Sequence, residues 1–307
     1  MRARLRARYK LDDKISLGAG IATGDPDNPN STDVTVSDFA DGLDVSLDQL
    51  YARFAAHDFV FDIGKFPQIF RRTDLVWDGD VNPQGVGVRY EHSLGAASSI
   101  DARALYFIVD EAAAGAGSSM IGGQVGLATA LADGWVLDAG VGYLDYHLSG
   151  ISGGDAGDFR SNLLRPDGSY LSDFDLLELV GSIHNHSIDP PLPIEVRFDF
   201  VRNLGAATSA DTGYLAELVL GTARRRGDFR LGYGYAVAET DAVFAAFSHD
   251  NIELATNYQL HSLAADYLPL ENVILNLTYY RYRPFQREPD TLHGWRNRLR
   301  LNLMFEF

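Results

Sequence analysis

Arg2, Arg4, Arg6, Arg8 and Lys10 stand at every second position near the start of the chain, and Arg296, Arg298 and Arg300 repeat the spacing near its end. A helix would scatter these cations around its axis; an extended strand lines them up on one face. A row of fixed cations performs no bond chemistry. It attracts anions and, set opposite carboxylates, makes a transverse field across any water-filled space it lines. Arg53, Arg89, Arg103 and Arg230 are candidates for the same interior, and Asp62, Glu91, Asp101, Asp138, Glu195, Asp199, Glu217 and Glu306 are candidate partners. Two readings stay open: an anion-attracting wall, or an ion-pair network that fills a polar interior.

A second group lies in one long connection, residues 67–84, with Arg71, Arg72, Asp74, Trp77, Asp78, Asp80 and Asn82. Asp78, Asp80 and Asn82 have the alternate oxygen spacing of a calcium loop but lack its sixth-position glycine and closing glutamate, so they make only a weak metal candidate. Catalysis finds no support. The chain has no cysteine, and no recognisable nucleophile motif joins its serines, histidines and acids. No cofactor is expected, and none of the strand glycines opens a helix as a phosphate loop would. The net charge of −16 argues against nucleic acid as a partner.

These residues are positioned by strands. Leu299, Leu301, Leu303, Phe305 and Phe307 oppose Arg296, Arg298, Arg300, Asn302 and Glu306; Ile194, Val196, Phe198 and Phe200 oppose Glu195, Arg197 and Asp199. Period-two alternation marks strands with two differently solvated faces. Strands are expected near 2–11, 14–23, 45–56, 58–66, 85–93, 98–110, 119–131, 134–148, 174–184, 194–203, 212–223, 228–239, 254–267, 272–283 and 294–307. Short turns, among them Leu268–Glu271, alternate with mostly longer connections at 24–44, 67–84, 111–118, 149–173, 204–211, 240–253 and 284–293. That asymmetry is the pattern of a transmembrane antiparallel β-barrel, with periplasmic turns and extracellular loops. Tyr9, Tyr51, Tyr90, Tyr143, Tyr233, Tyr267 and Tyr279 fall where interfacial girdles are expected.

A charge on the lipid face costs ~2–4 kcal/mol at the midplane, so the arginine rows belong inside. Loop 67–84 is expected to fold inward and narrow the interior, the alternative being a structural lid or surface loop. The reading is all-β, a single domain over 1–307. Fifteen strands are legible, whereas bacterial barrels have even numbers. The first and last strands would run the same way, which neighbours closing an antiparallel barrel cannot. A sixteenth strand is therefore expected upstream of Met1, the alternative being a miscounted strand. MRARLRARYK lacks the apolar core of a signal peptide, so any signal peptide is expected upstream as well. Acidic loops such as 24–44 are candidates for holding divalent cations shared with lipopolysaccharide phosphate.

The order of several motifs resembles the bacterial "putative porin" family of outer-membrane barrels. Gly64-Lys65-Phe66 followed by Thr73–Gly85 (TDLVWDGDVNPQG) is the most telling; Gly140–Tyr146, Phe198–Asn203 and Gly232–Asp241 follow in order. The resemblance implies passive passage of small hydrophilic solutes or ions across the outer membrane of a Gram-negative bacterium. It also implies, as partners, outer-membrane lipid and lipopolysaccharide and the barrel assembly machinery, which would read the terminal Phe307. A homo-oligomer such as a trimer is compatible with it. The alternative is a docking barrel that sheaths a partner such as an electron carrier in an envelope complex.

Overall fold

The computed structural model describes residues 1–25, 31–34, 44–111, 117–149, 161–185, 192–286 and 294–305. Fifteen strands make one sheet in which each pairs antiparallel with its sequence neighbour. They are β1 (Arg4–Lys10), β2 (Ile15–Thr23), β3 (Val45–Ala56), β4 (Phe59–Lys65), β5 (Gln84–Ser93), β6 (Ser98–Asp110), β7 (Ser118–Ala130), β8 (Trp135–His147), β9 (Phe174–Asn185), β10 (Ile194–Asn203), β11 (Thr212–Gly221), β12 (Phe229–Ala238), β13 (Tyr258–Leu270), β14 (Val273–Pro284) and β15 (Arg296–Phe305). The short turns have local causes. His57, Asp133 and Asn272 adopt positive φ, a conformation for which Asn, Asp and His are enriched. The Asp12 carboxylate accepts from the backbone N–H groups of Lys14 and Ile15, and Asp228 does the same for Arg224 and Arg225.

The outer face is apolar. Leu5, Leu299 and Leu301 are 69%, 67% and 68% exposed, and Leu17, Ile63, Ile121, Val141, Leu263 and Leu277 share the exposed pattern. So extensive an uncovered apolar face exceeds what a water-soluble monomer shows. Two expectations need correction. Tyr51 is buried among the interior core residues rather than in an outer girdle. A bulge between Gly20 and Ile21, opposite Asp48 and Gln49, shifts the alternation of β3, so that Leu50 points out and Tyr51 packs over Gly18. β13 begins at Tyr258 and continues through Leu268, where a turn was expected, with a register shift between Tyr267 and Leu270.

The main core is inside the curled sheet. Residues 66–83, between β4 and β5, and residues 239–257, between β12 and β13, pack there against inward side chains of the loop-ward strand halves. Trp77 stacks near Phe107 and Phe247, with centroids 5.8 and 5.6 Å away, and Phe244 meets Tyr146 and Phe174 at 5.3 and 5.5 Å. Phe66, Leu75, Met120, Leu144, Leu176, Val201 and Tyr258 are among the other members of the cluster. The expectation of a polar interior therefore fails for this half, because the chain's own loops supply apolar surface for the wall to cover. β1 and β15 run in the same direction. Asp33 lies 3.7 Å from Arg2 and 3.0 Å from Arg300, so the first and last strands come together around it.

Candidate functional site

Segment 66–83 leaves the sheet at its base, where Phe66 N–H donates to Pro83 O at 3.0 Å. Phe66, Ile69, Phe70, Leu75, Val76, Trp77 and Val81 are all buried along it. Burying side chains of this size stabilises by roughly 1.5–3 kcal/mol each, which favours the inward path over a solvated one. Polar contacts then fix its position. The Arg71 guanidinium forks onto Asp101 at 2.7 and 2.6 Å and also pairs with Asp138, while the Gln124 amide bonds both the N–H and the carbonyl of Arg71. Thr73 Oγ1 donates to Asp199 at 2.5 Å, and Asp78 N–H donates to Phe247 O at 2.7 Å. Asn82 donates to Asp48 and accepts from Gln49. One segment thus reaches β3, β6, β7, β8 and β10, as only a segment inside the barrel can. Gly126 makes room for it: a Cβ there would lie 2.1 Å from the Arg71 guanidinium.

The basic rows divide their work. Arg2 and Arg4 both pair with Asp80 and so hold segment 66–83 directly, while Arg6 pairs with Asp48 of β3, which in turn accepts from Asn82 of the segment. Arg296 pairs with Glu253, Arg298 donates to Asn251 O at 3.0 Å, and Arg300 bonds the Asn251 side chain, so the last row holds segment 239–257. Buried Asn162 ties the second segment further, donating to Thr240 O and Val243 O and accepting from Ala245 N–H. Toward the short-turn end, Arg8 donates to Ser16, Lys10 pairs with Asp13, Arg53 and Arg89 share Asp62, and Arg230 pairs with Asp266. Arg103 pairs with Asp101. Glu195 and Glu217 are brought together by Arg197, a residue sequence reasoning read only as part of a polar face. Glu91 is exposed and sits opposite Asp101 in the register. Glu306 and Phe307 lie outside the described residues.

Asp78, Asp80 and Asn82, the weak metal candidate, are engaged by donors of the chain itself: Asp80 pairs with Arg2 and Arg4, Asn82 accepts from Gln49, and Asp78 accepts from the Asp80 N–H. Their oxygens take separate partners, and the described residues contain no metal-binding group of three or more acidic or histidine ligands. Asp80 is pulled upward by burial, yet hydrogen bonding and charge from Arg4 prevail and hold its carboxyl below the usual range. For Asp78, burial, then the charges of Asp74 and Asp250, push the pKa from 3.8 to about 8. A carboxyl raised in this way binds its proton in the docked loop and releases it when the loop is freed. The contribution of Asp78 to docking is therefore fully present below pH 3.8 and is lost as pH rises toward about 8, by up to ~1.4 kcal/mol per pH unit. Current noise recorded from pH 5 to 9 is expected to grow with pH in the native protein and to stay flat in Asp78→Asn.

Between the two segments and the β10–β14 wall lies a cavity of ≈ 640 Å³, lined by Arg72, Asp74, Arg197, Glu217, His249 and Ser262, among others. A second cavity of ≈ 180 Å³ against β8–β10 shares Arg72, Thr73 and Arg197 with it. The two meet at those residues. Trp77, expected near the constriction, is fully buried in the apolar cluster instead. His249 is likewise buried, which lowers its pKa and favours the neutral ring.

A sequence model of the family described as "putative porin" matches residues 1–156. No curated protein matches significantly in sequence. Among solved structures, OprB of Pseudomonas putida superposes with a TM-score of 0.60 at 12% identity, covering 98% of this chain and 86% of that one. A loop-deletion mutant of the outer-membrane protein OmpT of Vibrio cholerae gives 0.55 at 13% identity, covering 99% and 89%. The outer-membrane channel DcaP of Acinetobacter baumannii gives 0.52 at 16% identity, covering 100% and 84%.

Proposed function

Because the chain belongs to the "putative porin" family of outer-membrane β-barrels, we propose that its interior conducts small hydrophilic solutes and ions passively, along the polar route left between the infolded segments and the β8–β14 wall. The observation that carries this reading is the pair of cavities meeting at Arg72, Thr73 and Arg197. Charges of both signs line that route, Arg72 and Arg197 against Asp74, Glu195 and Glu217, which suits hydrated ions and polar solutes better than apolar ones. A barrel that sheaths a partner must keep its interior free for it. Here the chain's own segments 66–83 and 239–257 occupy that space, which favours the channel reading over the docking one.

The arginine rows enter this reading mainly as anchors, since most of their charges meet carboxylates or carbonyls of the infolded segments. Selectivity then rests on the cations left beside the route. Arg72 keeps 31% of its side chain exposed, with its nearest carboxylate 3.4 Å away at Asp74. In planar bilayers across a salt gradient, the native barrel is expected to conduct. Arg72→Glu is expected to move the reversal potential toward cation preference, because it changes the net charge by two units where the two cavities meet. An unchanged potential removes Arg72 from the route; a barrel without conductance removes the proposal.

A further inference from the structure

The membrane-facing side of β12–β15 changes character near the end from which the longer connections leave, the extracellular end of such barrels. Reading outward along paired residues, the face runs Tyr267–Leu275–Leu303, then Ala265–Leu277–Leu301, then Leu263–Tyr279–Leu299. The next row is His261–Arg281–Asn297, and beyond it Gln259 pairs with Arg283. An apolar wall thus gives way within one row to two guanidinium groups on the outside of the barrel. Their depth fits the energetics, because an arginine on the lipid face costs only ~0–1 kcal/mol near the interface.

Aromatic rings hold these cations in place. The Cζ atoms of Arg281 and Arg283 lie 5.1 and 4.6 Å from the Trp295 ring centroid, and the His261 ring lies 5.6 Å from it. Arg283 Nε donates to Gln259 at 2.9 Å, and Tyr233 OH meets His261 Nδ1 at 2.9 Å. Among the described residues, no carboxylate lies within ion-pair distance of either guanidinium. A guanidinium that rests on an aromatic ring still presents its N–H donors in its own plane, in the fork that matches phosphate oxygens. Two such forks in successive rows, beside a histidine ring and above a leucine wall, complement a lipid whose headgroup is a phosphate and whose chains run down that wall.

We infer that Arg281, Arg283 and Trp295, with His261 behind them, form a docking site for a phosphate of lipopolysaccharide's lipid A in the outer leaflet, its acyl chains lying along Leu263, Leu277, Leu299 and Leu301. The site lies on the outside of the barrel and is independent of the conduction route.

Native mass spectrometry of the full chain in detergent tests the site with three probes: lipid A carrying both phosphates, the same lipid A dephosphorylated, and inorganic phosphate. The phosphorylated lipid is expected to bind about ten-fold more tightly than the dephosphorylated one, as loss of charge-assisted hydrogen bonds implies. Arg281→Gln with Arg283→Gln is expected to remove that preference while conductance and heat-modifiable migration, the signs of a folded barrel, stay native. Trp295→Leu keeps both charges but removes the stack, and is expected to reduce the preference as well. Inorganic phosphate at the lipid's concentration is expected not to displace it. Equal affinity for the two lipids, or a preference that survives in either variant, overturns the site. Displacement by inorganic phosphate shows a simple anion site and overturns the lipid assignment.

Discussion

Deletion of residues 70–82 is expected to raise single-channel conductance by roughly an order of magnitude, toward that of an open barrel of this strand number. The deletion is geometrically mild at its base, because the hydrogen bond from Phe66 to Pro83 already brings the two ends together. Its consequence inside is large. Trp77 leaves the stack with Phe107 and Phe247, Asp80 leaves Arg2 and Arg4, and the wall of both cavities formed by Arg72 and Thr73 disappears. Segment 239–257 then loses its main packing partner, so the larger current is expected to carry slow steps as that segment moves. Unchanged conductance in a folded deletion barrel means that the loop lies off the conduction route.

Arg71→Met is the point substitution with the largest expected effect. Arg71 is 11% exposed and joins Asp101 and Asp138, and removing one side of a buried ion pair costs ~3–5 kcal/mol. The lower end applies here, since Arg103 still meets Asp101 and Asp138 is 41% exposed and can hydrate. About 3 kcal/mol is a factor of roughly a hundred in the docking equilibrium. The expected result is a barrel that assembles normally, conducts with frequent upward transitions, and is cut by protease within 66–83. Persistent protease resistance with a quiet current contradicts the anchoring role.

Much of the barrel is legible in the chain because alternation is a local property. β10 and β15 can be read from their own residues, since most of their inward positions carry polar groups and most of their outward ones apolar groups, Val201 and Met304 being inward exceptions. Where a strand breaks that rule the reading fails. The bulge in β3 places Asp48 and Gln49 inward in succession, and no single-strand pattern separates Tyr51 from a girdle tyrosine. The infolded segments show the other limit. Trp77 and its neighbours mark an inward loop, and Ala242-Val243-Phe244-Ala245-Ala246-Phe247, an apolar run inside a connection, carries the same signal for 239–257, where length and position alone indicate only a loop. Its buried side chains are what make half of the interior apolar. Pairings such as Arg71 with Asp101 and Asp138, or Arg197 with Glu195 and Glu217, depend on which strands face one segment across the lumen. Spacing along the chain does not contain that information; only the partner list of the folded barrel does.

The absence of cysteine allows the central claim to be tested atom by atom. Ser262 lines the ≈ 640 Å³ cavity from β13, and the next residue, Leu263, faces outward and is 54% exposed. The decisive measurement is bilayer current from Ser262→Cys and Leu263→Cys barrels before and after a charged, water-soluble thiol reagent. A stepwise fall of current in Ser262→Cys, with Leu263→Cys unaffected, is the predicted result. Current that ignores modification at Ser262 contradicts a water-filled route through this interior.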